Sequence, residues 1–179
     1  MIKPMEIDDM VLRNTKSEDV MKRYILNRTR DFSYHAVGVL DEIAKNPNIT
    51  GDIAEEIILK VSEFAWGRQD DTKWAEKIFK SLAQNKNIGA SPISVCVLAE
   101  QRTLDVTDAI LNNEALAASE DVEMLKMIKT GGNEDLSGWA TAKLAHIGYE
   151  EQTPSSPSIK KRKYPEVPEQ IPTNGIIHN

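Results

Sequence analysis

The sequence predicts an all-α protein assembled from short helical hairpins, with an extended C-terminal tail. Three observations carry that expectation. Apolar residues recur at helical rather than strand spacing through eight successive segments. Most segments open on a Ser, Thr or Asn with an Asp two places later. The stretch LDEIAKNPNIT (40–50) returns in outline as FKSLAQNKNIG (79–89), an apolar run closed by Asn-x-Asn-Ile.

The first segment, 17–29, places Val20, Tyr24 and Ile25 near one face. The second, 34–45, does the same with Ala36, Val37, Leu40, Ile43 and Ala44. Segment 50–66 carries Ile53, Ile57, Val61 and Phe64, and segment 72–84 carries Trp74, Ile78 and Leu82 flanked by Ala75 and Phe79. The remaining four span 92–101, 104–113, 120–129 and 134–147. ISVCVL within 92–101 has the composition of a buried strand. Pro92 follows Ser91, however, and proline suits the first position of a helix, so a helix is expected there.

The helix starts follow one rule. Ser17, Thr50, Thr103, Ser119 and Asn133 are each expected to cap a helix through the side-chain oxygen. Asp19, Asp52, Asp105, Asp121 and Asp135 then add negative charge to the positive end of the helix dipole. The stops are equally regular. Asn46, Asn85 and Asn113 follow apolar helix ends, and Asn tolerates the left-handed conformation that closes many helices. Ile49, Ile88 and Leu116, three places on, are expected to fold back, with Thr50, Ser91 and Ser119 opening the next helix. Gly131-Gly132 before Asn133 reads as a hairpin turn.

The three Asn stand 39 and 28 residues apart, which averages about 34, the length of a helical-hairpin repeat. IAKNPNIT resembles the variant leucine-rich repeat, whose units carry an LA-x-N-P-N-T-P segment before a helix. LAQNKNIGASP is similar, with Lys86 in place of the proline, and ILNNEALAAS keeps the outline. The longer helices also look like HEAT-type hairpins. The resemblance covers 36–125 and implies a short right-handed α-solenoid of about four hairpins, pairing 17–29 with 34–45, 50–66 with 72–84, 92–101 with 104–113, and 120–129 with 134–147. Stacking agrees with the physics, because a helix with one apolar stripe buries it only against neighbours. A compact helical bundle is the alternative architecture for the same stripes.

Two regions follow: a helical repeat domain over 1–150 and a Pro-rich, extended or disordered tail over 151–179, which holds five of the eight prolines. The net charge is −6. Lys160, Lys161, Arg162 and Lys163 against Glu151, Glu166 and Glu169 give the tail one net positive charge and leave seven net negative charges on the body. An acidic body is a poor non-specific ligand for nucleic acid. No apolar run reaches the ~18–20 residues of a spanning helix, so no membrane partner is expected. The acid-bearing N-terminus lacks the apolar block of a signal peptide, and Cys96 is the single cysteine. Both point to a cytoplasmic or intracellular location, with a virion component as one form of it.

Candidate binding residues lie mostly in the tail. Ile159, Tyr164, Val167, Ile171, Ile176 and Ile177 are apolar anchors separated by prolines that lower the entropy cost of an extended chain. Lys160, Lys161, Arg162 and Lys163 form a basic cluster. Trp66 and Arg68 combine two residue types enriched at binding hot spots. No constellation of catalytic, cofactor-binding or metal-ligating residues stands out. Gly-rich phosphate loops and paired Cys or His are absent from the sequence. Cys96 within an apolar run reads as a small buried hydrophobe. The expectation is therefore a non-enzymatic interaction or assembly subunit without a cofactor. It would bind a protein partner or neighbouring subunit through a repeat surface and a docking arm, for example in a viral or phage assembly. One alternative is a nucleic-acid-associated accessory protein using Lys160–Lys163. Another is an enzyme whose site gathers residues from distant helices.

Overall fold

A computed structural model describes residues 10–65 and 72–149, and within them every regular element is helical. Residues 10–14 form α1. There follow α2 (Glu18–Arg28), α3 (Tyr34–Ala44), α4 (Gly51–Ala65) and α5 (Lys73–Ala83). A 3₁₀ turn, η1 (Ile88–Ala90), leads into α6 (Pro92–Glu100) and α7 (Leu104–Leu111). The short α8 (Glu114–Ala117) precedes α9 (Val122–Gly131) and α10 (Glu134–His146). All eight segments expected to be helical are helical, including the apolar run after Pro92. The additions η1 and α8 are too short to show a periodicity of their own.

The helices pack in two rows. In one, α2 lies against α4, α4 against α6, and α6 against α9. In the other, α3 lies against α5, α5 against α7, and α7 against α10. Each helix of the first row also packs on the helix that follows it: α2 on α3, α4 on α5, α6 on α7 and α9 on α10. The buried apolar residues form a single cluster from Leu12 to Leu144. Ile53, Ile57 and Val61 of α4 and Ile78 and Leu82 of α5 are fully enclosed at its middle. Burying an aliphatic side chain of this size stabilises by roughly 1.5–3 kcal/mol. No single helix has a partner for its stripe other than its neighbours, so the rows account for most of the fold's stability.

Side chains set the helix starts, with two departures from the expected rule. Ser17, Ser33, Ser91 and Asn133 accept from the backbone N–H of Val20, Ala36, Ser94 and Leu136 at 3.0–3.3 Å. Thr50 accepts more weakly from Ile53, at 3.4 Å. Thr103 makes no such bond, and its hydroxyl is buried without a partner. Ser119 is not the cap of α9. Asp121 is, accepting from Met124 N–H at 2.9 Å, while Ser119 Oγ accepts from Asp121 N–H at 3.2 Å. The reason is local: α8 uses residues up to Ala117, so the extended cap falls two residues later. Asp121→Ala is accordingly expected to destabilise by about 1 kcal/mol and Ser119→Ala by less than half of that. Chemical denaturation of both variants checks the order, and a larger loss for Ser119→Ala would restore the sequence-based rule.

The α9–α10 turn uses Gly131 and Gly132 as expected. A Cβ on Gly132 would stand 2.7 Å from the Ile128 carbonyl oxygen and 2.9 Å from Leu136 Cβ, closer than side chains tolerate.

Candidate interaction surface

The recurring Asn-x-Asn stretch builds a hydrogen-bonded ladder along one edge of the fold. Asn46, Asn85 and Asn113 are buried. None closes its helix in a left-handed conformation, because the one non-glycine residue with positive φ among the described residues is Arg102. Instead, each side-chain amide reaches back to the turn before it. Asn85 Nδ2 donates to the carbonyls of Ala44 and Asn46, both at 2.8 Å. Asn113 Nδ2 donates to Ala83 and Asn85 at 2.8 and 3.0 Å. Asn46 Nδ2 donates to Leu12 and Thr15 at 2.6 and 2.8 Å. Each Oδ1 accepts from a backbone N–H two residues on: Asn48, Asn87 and Ala115. Ile49, Ile88 and Leu116 then fold into the core. The edge is thus closed to any ligand, its polar groups being satisfied internally.

A second buried polar centre joins α3 to α5. Asp41, almost wholly enclosed, accepts from Ser81 Oγ at 2.7 Å, Lys45 Nζ at 2.6 Å and Lys77 Nζ at 2.9 Å. Burial on its own would raise this carboxyl. The hydrogen bonds from Lys45, Lys77 and Ser81 outweigh it and hold the group below the ordinary aspartate range. Every oxygen is engaged within the protein, so the carboxylate is structural and not poised for proton transfer.

Two shallow clefts open between helices. One, of about 240 Å³, is lined by Lys80, Gln84, Asp105, Asp108 and Asn112 and spans α5 and α7. Lys80 Nζ sits 2.7 Å from Asp105 Oδ2 across it, and this contact holds the ammonium above its usual range. The other, of about 280 Å³, lies beside Ala65, Ala75, Phe79, Gln101 and Thr103. Among the described residues, no group of three His, Cys, Asp or Glu side chains is placed to hold a metal ion. His35 and His146 are exposed on separate helices. Cys96 is buried, and desolvation, followed by Glu100 and Asp121, pushes its thiol up to about 11, which keeps it protonated near neutrality.

The outer face of the first row offers something different. α2, α4, α6 and α9 each expose one large apolar side chain: Leu26 is 67% accessible, Leu59 58%, Ile93 59% and Met127 45%. In the second row, α5 and α10 expose none, and Tyr34 and Leu104 stand at the first positions of α3 and α7. The apolar positions of the first row alternate with carboxylates, among them Asp19, Glu55, Glu63, Glu100 and Glu123. Lys22, Arg23, Arg28, Lys60, Lys126 and Lys129 stand on the same helices, so the row carries charges of both signs. Contiguous exposed apolar patches mark interaction sites, whereas single exposed apolar side chains are ordinary on a protein surface.

Of the residues singled out from the sequence, Trp66 and Arg68 lie outside the described residues. So do Ile159, Lys160, Lys161, Arg162, Lys163, Tyr164, Val167, Ile171, Ile176 and Ile177. Trp74 is buried and packs against Phe32 and Phe64, with ring centroids 5.2 and 6.3 Å away. The sequence reading missed Leu26, Leu59, Ile93 and Met127. Their signal is a surplus: Leu26 and Leu59 directly follow the buried Ile25 and Ile58, off the stripe that faces the core.

Against protein-family models, curated proteins and solved structures, the chain shows no match. Among the described residues, no helix is long and apolar enough to cross a membrane.

Proposed function

We propose that the chain is a non-catalytic protein-interaction module, in which stacked helical hairpins form a short α-solenoid and present the outer face of α2, α4, α6 and α9 to a protein partner. The observation that carries this reading is the single exposed apolar side chain on each of those four helices. Stacked hairpins bind in this manner because each unit contributes one equivalent strip of a continuous surface. Two further features support it. Asp41, the enclosed carboxylate, is committed to the fold, and the α5–α7 cleft is bridged by its own ion pair. The likeness of IAKNPNIT to the variant leucine-rich repeat and of the helices to HEAT hairpins points the same way. A role as an assembly subunit, with residues 151–179 as a docking arm, extends the proposal.

The test is a paired capture from the native host, with the full chain and with Leu59→Glu/Ile93→Glu as baits. Both positions are exposed, so the variant keeps its helix content. The expected result is that specific partners fall at least tenfold on the variant. Equal recovery on both baits would remove this face from the function.

A further inference from the structure

We propose that the stack contains one yielding joint: the second and third hairpins part at the end where α6 turns into α7, pivoting on the asparagine edge, which stays fastened. The motion belongs to the fold itself and does not depend on any partner at the outer face of the first row. Two observations carry it, the unequal fastening of the two edges and the state of the α6–α7 turn.

At the asparagine edge the two hairpins are tied. Asn113 Nδ2 reaches the Ala83 and Asn85 carbonyls at 2.8 and 3.0 Å, and Ser91 Oγ donates to Glu55 Oε1 at 2.9 Å. The opposite edge, where each hairpin makes its own turn, is fastened at its first and third joints. Between the first and second hairpins Phe32 packs across the gap, its ring 5.6 Å from Phe64 and 5.2 Å from Trp74. Between the third and fourth, Asn133 Nδ2 donates to Thr107 Oγ1 at 2.8 Å. Between the second and third lies the cleft of about 280 Å³, with Ala75, Glu76 and Phe79 of α5 on one side and Gln101 and Thr103 on the other. Among the described residues, no hydrogen bond or ion pair crosses it from 72–79 to 101–104. The nearest tie, Lys80 to Asp105 at 2.7 Å, is an exposed pair of the kind that contributes little.

The α6–α7 turn is also held in a state that opening relieves. Arg102, the one non-glycine residue with positive φ among the described residues, stands at +55°, a conformation that long side chains seldom take. Its guanidinium makes a long contact of 3.5 Å to the Gly131 carbonyl. Thr103 follows, with its hydroxyl buried, unpartnered and not bonded to the first turn of α7. A buried hydroxyl without a partner has lost its water uncompensated, and it regains water when the turn swings away from α5. Strain and desolvation thus fall on two adjacent residues at the unfastened side of one joint, and both lower the work of opening it. Opening tilts the half that holds α2 to α5 against the half that holds α6 to α10, and leaves the asparagine ladder intact.

Thiol labelling of the folded full-length protein tests the joint. Ala75, on the α5 wall of the cleft, is 5% accessible, and the native Cys96, which does not line the cleft, is 6% accessible. The thiol introduced by Ala75→Cys is expected to react with methyl methanethiosulfonate at least tenfold faster than Cys96 in the same molecule. Thr103→Val, which puts a methyl group where the unpartnered hydroxyl stands, should slow the introduced thiol at least fivefold and leave Cys96 unchanged. Arg102 does not line the cleft, so Arg102→Gly gives a second reading free of local crowding. It removes the strain at positive φ and should slow the same thiol at least twofold. A rate indifferent to both substitutions would mean that the thiol is reached with the joint closed. Equal slowing of Cys96 would mean that the whole fold opens at once. Either result, or an introduced thiol no faster than Cys96, would overturn the proposal.

Discussion

Replacing Asn85 by Leu is expected to destabilise the protein by about 3–4 kcal/mol, although Leu is the more hydrophobic residue and nearly the same size. The substitution strips the Ala44 and Asn46 carbonyls of their side-chain donor and the Asn87 N–H of its acceptor, all within one closed turn. The Asn46 carbonyl keeps the Ile49 N–H at 3.2 Å, which leaves the Ala44 carbonyl and the Asn87 N–H without partners, at roughly 1–3 kcal/mol each. Asn87→Leu is the control. Its amide makes one exposed contact, to the Pro47 carbonyl at 2.6 Å, and its removal should cost under 1 kcal/mol. Urea unfolding of the two variants separates these cases. An Asn85→Leu protein within 1 kcal/mol of the parent would mean that the ladder contributes shape and not stability.

Asp41→Asn is expected to cost about 2–3 kcal/mol at pH 7, because a charged acceptor shared by three donors becomes a neutral one. The effect should depend on pH in one direction. The folded-state pKa is lowered from its ordinary value of 3.8, so the folded form binds its proton more weakly than the unfolded one. The carboxylate's stabilisation is then complete above about pH 5. It declines as pH falls through the folded-state value, below the ordinary one. Lys45 and Lys77 are partly in solvent, so salt should reduce the gap at pH 7. Unfolding midpoints of parent and variant, compared at pH 7 and pH 2.5, should lie closer together at the lower value. A gap of equal size at both would show that shape, not charge, is what Asp41 provides.

The helices were legible because each carries a stripe that a 3.6-residue period exposes, and because Ser17, Ser91 and Asn133 mark starts that capping chemistry finds. The Asn echo was visible too, but its purpose was not. The partners of Asn85 lie about forty residues earlier in the chain, and a local conformational preference was the only explanation a linear reading could supply. Ser119 was misplaced for a related reason: α8 is a single turn without periodicity, and it displaces the cap of α9 to Asp121. The exposed row of Leu26, Leu59, Ile93 and Met127 escaped notice because stripe-finding rewards the residues that face inward and discards surplus ones. Only the packing order of α2, α4, α6 and α9 shows that the four belong to successive helices of one row.

The last two of the three rungs share one register. Asn85 addresses the carbonyls two residues before and at Asn46, and Asn113 addresses those two residues before and at Asn85, across separations of 39 and 28 residues. The joint is therefore indifferent to how much chain lies between one fastening and the next. A hairpin can lengthen, shorten or be copied without disturbing its neighbours, provided that its closing turn keeps an asparagine facing backwards. In engineering terms the turn is the connector and the helices are interchangeable parts, so the length of the rows can grow or shrink by whole units while the edge that fastens them stays the same.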